Sequence, residues 1–187
     1  MGRLGLDRRE FLERVAVLVG AVLVPLPLGC RSGCSRTPAP AAAKTFDPRE
    51  WAVVEAACSR IIPTDDLPGA REANVVGFID GQLADPNFAV FKREFEAGVS
   101  ALELVAAAKF GSRFMEIRPE QQDEVLAALQ DGEGSTNAFS AAHFFQVVFT
   151  LTIEGLLSDP VHGGNKDEAG WKVIGFVPEA PHPTRQG

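Results

Sequence analysis

Nowhere in this chain does a glycine-rich dinucleotide fingerprint follow a strand, and there is no Cys-x-x-Cys-His haem attachment, no Gly-x-Ser-x-Gly nucleophile elbow and no histidine-rich metal set. Those gaps remove the sequence marks of nicotinamide binding, covalent haem, α/β-hydrolase chemistry and a His-based metal centre. Only three histidines and three cysteines occur in 187 residues. Basic side chains are also in short supply, 18 against 25 acidic ones, for a formal charge of −7. Residues 1–29 hold four arginines against three acids, so the remainder carries −8. Nucleic acid is therefore excluded as a partner, because phosphate binding relies on basic patches. Long apolar runs are missing as well. The run at residues 15–28 has 14 residues and contains Gly20, Pro25 and Pro27, short of the roughly 20 that a spanning helix needs.

What precedes that run is informative. Asp7-Arg8-Arg9-Glu10-Phe11-Leu12 places two adjacent arginines directly before the apolar region, as in a twin-arginine export signal carried by Arg8, Arg9, Phe11 and Leu12. An ordinary secretory signal has the same basic, apolar and processing regions and is the competing reading. The run ends in Leu26-Pro27-Leu28-Gly29-Cys30, where lipid on Cys30 would tether the chain to a membrane. Cys30 paired with Cys34 across Arg31-Ser32-Gly33 is the alternative. Residues 30–45 are rich in Ser, Pro and Ala and read as a flexible tether. About 140 residues then remain for one domain, read here as residues 46–177, with a proline-rich tail at 178–187.

Periodicity within that domain is helical. Asp47-Pro48-Arg49-Glu50 predicts a capped start, with Trp51, Val54, Cys58, Ile61 and Ile62 on one face until Pro63 ends the helix. Cys58 is expected in the core. Val75, Val76, Ile79 and Leu83 give a second helix closed by Asp85-Pro86, and Phe88, Phe91, Phe95, Val99, Leu102 and Val105 a third, all read as one core-facing stripe. Pro119 opens a fourth around Val125, Leu126 and Leu129, followed by a loop at residues 131–135. In residues 144–153 apolar positions alternate as in a strand, yet no second strand could pair with it. Extended over residues 137–157, the segment reads as a buried helix, apolar almost all round. The fold class is all-α, a compact orthogonal domain of about five helices.

Few groups converge for chemistry. Asp65 and Asp66 follow a helix directly, where solvated or capping acids outweigh metal ligands. His143 sits on the predicted buried helix as a core or interface residue. His162 lies in a loop with Asp159, Asn165 and Asp167, where a turn held by side-chain to backbone bonds is favoured over a metal site. His182 falls in the tail.

Several stretches carry a resemblance. Arg60-Ile61-Ile62-Pro63-Thr64-Asp65-Asp66, Pro68-Gly69-Ala70 and Phe78-Ile79-Asp80 come first, followed by Glu154-Gly155, Ser158-Asp159-Pro160, Gly163-Gly164-Asn165, Gly170-Trp171 and Ile174-Gly175-Phe176. In this order they resemble the gluconate 2-dehydrogenase subunit 3 family over residues 46–176. The resemblance implies a non-catalytic small subunit with no cofactor of its own. Its partners would be an FAD-dependent sugar or polyol dehydrogenase large subunit, a cytochrome c subunit carrying haem, and the twin-arginine translocation machinery. It also implies a periplasmic, membrane-associated location and a role in folding and export of the flavoprotein. A stand-alone lipid-anchored binding protein is the alternative reading. On the family reading, His162, Gly163, Gly164, Asn165, Trp171, Ile174 and Phe176 would meet the flavoprotein; the same segment could equally cap this domain's own helices.

Overall fold

The computed structural model describes residues 43–178. Among them are six α-helices and no strand: α1 (Pro48–Ile61), α2 (Val75–Leu83), α3 (Ala89–Phe110), α4 (Pro119–Gln130), α5 (Ala141–Leu157) and α6 (Ala169–Ile174). Single 3₁₀ turns at Pro86–Phe88, Pro160–His162 and Lys166–Glu168 join them. The all-α expectation holds, with the short α6 added beyond the four helices and the buried segment read from periodicity. The signal residues Arg8, Arg9, Phe11 and Leu12, with Cys30, Cys34 and His182, lie outside the described residues. No helix among the described residues is long and apolar enough to cross a membrane.

Local chemistry explains where these helices begin. The Asp47 carboxylate accepts the Arg49 and Glu50 backbone N–H groups at 2.7 and 2.8 Å, and Glu50 accepts the Asp47 N–H at 2.9 Å. This reciprocal cap satisfies donors that the first helical turn leaves open and contributes about 1 kcal/mol. Ser140 caps α5 by accepting the His143 N–H.

The long helix α5 is central, packing on α1, α2, α3, α4 and α6. Ala141, Phe144, Val148, Thr152, Gly155 and Leu156 are its buried residues. It is not apolar all round: His143, Gln146, Thr150 and Glu154, spaced three, four and four residues apart, form an exposed polar stripe. The strand-like alternation hid this stripe, because β-branched and aromatic residues on the flanks dominate the local pattern. His143 is therefore not in the core; its ring nitrogen pairs at the surface with Glu94 of α3.

Aromatic packing joins α3 to α5. Phe95 meets Phe144 edge-on with centroids 5.3 Å apart, and Phe46 lies 5.8 Å from Phe95. A Cβ on Gly98 would come within 2.1 Å of the Phe144 ring, so the missing side chain lets α5 seat its ring against the α3 backbone. Phe95, Val99, Leu102 and Val105 are buried, while Phe88 and Phe91 remain 38% and 39% exposed. The aromatic stripe therefore does not face the core along its whole length. Residues 84–91 are all exposed, so the first turn of α3 runs past the helices that cover the rest. Cys58 is in the core as expected, with the Thr152 hydroxyl 3.3 Å from its sulfur. Burial pushes its thiol up to about 12.

Candidate functional site

The segment after α5 is organised around Asn165, which is fully buried. Its amide nitrogen donates to the Ser158 carbonyl at 2.9 Å and its amide oxygen accepts the Gly170 N–H at 2.8 Å. Its backbone N–H reaches the Gly155 carbonyl at 2.7 Å. With φ at 45°, Asn165 occupies the left-handed region that asparagine tolerates better than most residues. Four non-glycine residues among those described have positive φ: Asn74, Asn165, Asp167 and Glu168. They gather at one end of the molecule, because Lys166 N–H bonds the Ala73 carbonyl at 3.0 Å and the Asn74 side chain bonds the Gly163 carbonyl at 2.8 Å. Such backbone persists only where surrounding bonds over-determine it.

Close approach of backbones completes this end. A Cβ on Gly164 would lie 2.3 Å from the Gly155 carbonyl oxygen, and one on Gly170 would lie 1.9 Å from that of Leu156. Only glycine fits at either place. Trp171 donates its ring N–H to the Leu157 carbonyl at 2.8 Å and meets Phe176 edge-on at 5.1 Å. Of the residues singled out in the sequence, Gly164, Asn165 and Ile174 are thus buried against this domain's own helices. Trp171 is half-buried, and His162, Gly163 and Phe176 are exposed. The segment does cap its own domain. Among what it leaves outward, beside the charged Lys166, Asp167, Glu168 and Lys172, are three apolar residues: Val161 is 80% exposed, Phe176 43% and Val177 82%.

The acids take structural roles. Asp65 accepts the Leu67 N–H at 2.9 Å, and Asp159 accepts the Val161 N–H at 3.0 Å; both hold turns. Glu72 accepts the Thr64 hydroxyl at 2.6 Å and the Gly69 N–H at 2.8 Å. Burial raises its pKa, but these bonds outweigh burial and leave it below the usual carboxylate range. On Glu55, burial wins over the nearby Arg71 and the carboxyl is pushed up. Asp66 and His162 face solvent. Among the described residues no group of three His, Cys, Asp or Glu could hold a metal ion. An open cleft between the start of α1 and α3 is lined by Asp47, Glu50, Glu96, Ser100 and Leu104 and crossed by the Arg49–Glu103 pair at 3.2 Å. Asp47 and Glu50 there serve the α1 cap, and Glu103 also accepts the Phe114 N–H.

Sequence reasoning gave Asp80 no role of its own. It is 3% exposed on α2, and its carboxylate accepts three consecutive backbone N–H groups, from Lys44, Thr45 and Phe46, at 2.7, 2.8 and 2.8 Å. Lys44 and Thr45, read as the end of the tether, are thereby pinned to the folded domain. A lone acid inside the otherwise apolar Val75–Leu83 helix was the available signal, since a buried charge must be paired or hydrogen-bonded.

A family model described as gluconate 2-dehydrogenase subunit 3 matches residues 48–178. The chain belongs to that family. The subunit 3 match starts at the first residue of α1 and ends just beyond Phe176, so it takes in Asp80 and the whole Asn165 end but stops short of the pinned residues 44–46. No curated protein and no solved structure matches the chain.

Proposed function

We propose that this subunit 3 protein is the non-catalytic accessory subunit of a periplasmic, FAD-dependent sugar or polyol dehydrogenase, and that it assists the folding, twin-arginine export and assembly of its flavoprotein partner. The observation that carries this reading is the family match across every helix of the domain. A dehydrogenase needs a redox cofactor, and on this reading the flavin belongs to the large subunit and any haem c to a third. Arg8 and Arg9 supply the export signal for an assembly that crosses the membrane folded.

The outward residues Val161, His162 and Phe176 are the part of the Asn165 end available to the flavoprotein. Gly164, Asn165, Trp171 and Ile174 build the platform beneath them. Apolar residues on a rigid platform suit an interface core.

Purification of the native complex tests the reading: its visible spectrum should show flavin bands that the isolated chain lacks. Absence of a flavoprotein in the purified assembly would refute it. Replacing Arg8 and Arg9 together with lysine should strand the flavoprotein in the cytoplasm, and its normal export would remove the escort role. Val161→Ser should weaken the hold on the partner at unchanged thermal stability, and Phe176→Ser should do so with a small stability loss, because its ring packs on Trp171. Trp171→Ala should lower stability as well, since its ring bonds the end of α5.

A further inference from the structure

The first turn of α3 has features that neither the core nor the Asn165 end uses. Phe88, Val90 and Phe91 are 38%, 68% and 39% exposed, and the two phenyl rings lie 5.9 Å apart as one raft. Lys92 and Arg93 follow at once. They are the only adjacent basic pair among the described residues, and neither forms an ion pair there. Glu94, the nearest acid in sequence, is taken by His143; Asp85 accepts the Asn87 N–H, and Glu96 is exposed one turn further along. This 22-residue helix continues directly from the 3₁₀ turn, whose Asp85 and Pro86 carbonyls take the Phe88 and Ala89 N–H groups, so the two cations are the free polar groups of the patch. Apart from this pair, residues 43–178 carry 21 acids against nine bases, and an anionic surface would repel most of this domain.

We infer that Phe88, Val90, Phe91, Lys92 and Arg93 form a peripheral binding site for an anionic phospholipid surface. The aromatic and branched side chains enter the headgroup boundary, while the ammonium and the guanidinium meet lipid phosphates. Placement supports this occupant over a protein. Asp80 pins Lys44 to Phe46, and Phe46 packs on Phe95, one turn along α3 from Phe91. The tether therefore leaves the domain about 6 Å along the helix from the patch. A membrane attachment upstream of residue 44 would hold this patch within reach of the bilayer. The site does not depend on the identity of the partner subunit.

Hydrogen exchange on the full chain tests it, with vesicles of phosphatidylcholine containing phosphatidylglycerol compared with phosphatidylcholine alone. Residues 86–93 should exchange several-fold more slowly with the anionic vesicles only, and the effect should fade as salt rises. Lys92→Gln and Arg93→Gln should each weaken binding of this segment about 5-fold, and Phe88→Ser with Phe91→Ser should abolish its protection at unchanged helicity. Membrane binding that protects only residues upstream of 43 would overturn the proposal. So would protection of 86–93 by the co-purified large subunit without lipid, which would assign the patch to a protein interface.

Discussion

Replacing Asp80 with alanine should loosen the junction between tether and domain while leaving the Asn165 end intact. The wild-type carboxylate takes three N–H bonds of 2.7–2.8 Å from residues 44–46. The Phe46 N–H is buried with its ring, and leaving it unpaired costs about 1–3 kcal/mol. Lys44 and Thr45 are exposed or half-exposed, so water replaces their partner and each loss comes to about 0.5–1 kcal/mol. Together the substitution should cost about 3 kcal/mol, a large share of the roughly 5–15 kcal/mol that holds a domain folded. In a domain of this size the melting temperature should fall by roughly 10 °C. Because the latch closes directly after a trypsin site, the Lys44–Thr45 bond should resist digestion in the wild type and be cut early in the variant. Asp80→Asn, which keeps an acceptor oxygen but not the charge, should fall between. A melting temperature within about 3 °C of wild type, together with an intact Lys44–Thr45 bond, would refute the latch.

The buried Cys58 thiol, pushed up to about 12, should resist alkylation near neutral pH until denaturant is added; peptide mass spectrometry showing labelling at the rate of a free thiol would contradict its placement. Glu72 sits below the usual carboxylate range when folded, so its contribution is present above its unfolded pKa of about 4.3 and is lost as pH falls through the lower folded value. Urea titrations should therefore show wild type and Glu72→Gln converging in acid, and a constant gap down to the lowest pH would reverse the sign of that argument.

How much of this was legible in the sequence depended on whether a signal was local. Asp47, Pro48 and Glu50 announce the start of α1 because a cap is built from four successive residues. Pro119 does the same for α4. The third helix was readable as a period, yet the exposure of Phe88 and Phe91 was not, because periodicity shows which residues share a face and not where the covering helices stop. His143 failed for a related reason: its polar companions Gln146, Thr150 and Glu154 were visible at helical spacing but were outweighed by the surrounding phenylalanines. After α5, Gly163, Gly164, Asn165 and Trp171 stood out through the family resemblance. Their common purpose, a hub closing on α2 and α5, needed bonds between residues some 90 positions apart, such as Asn74 to Gly163. Asp80 is the same case, since its partners lie 34–36 residues upstream.

The nine-residue helix α2 carries both devices, and they sit at opposite ends of it. Asn74, at its N-terminus, is stitched to the segment after α5, while Asp80, six residues on, holds the tether, about 9 Å along the axis. Sites separated by roughly this distance with no shared partner contribute additively to stability, within about 0.5 kcal/mol. Asp80 bonds residues 44–46 and Asn165 bonds Gly155, Ser158 and Gly170, so no group is common to the two. The double variant Asp80→Ala with Asn165→Ala should then lose the sum of the single losses in urea unfolding. Additivity would mean that a pull on the tether leaves the outward Val161 and Phe176 undisturbed. A coupling of 1 kcal/mol or more, above about twice the additive limit, would show instead that α2 transmits strain from the tether to the partner face.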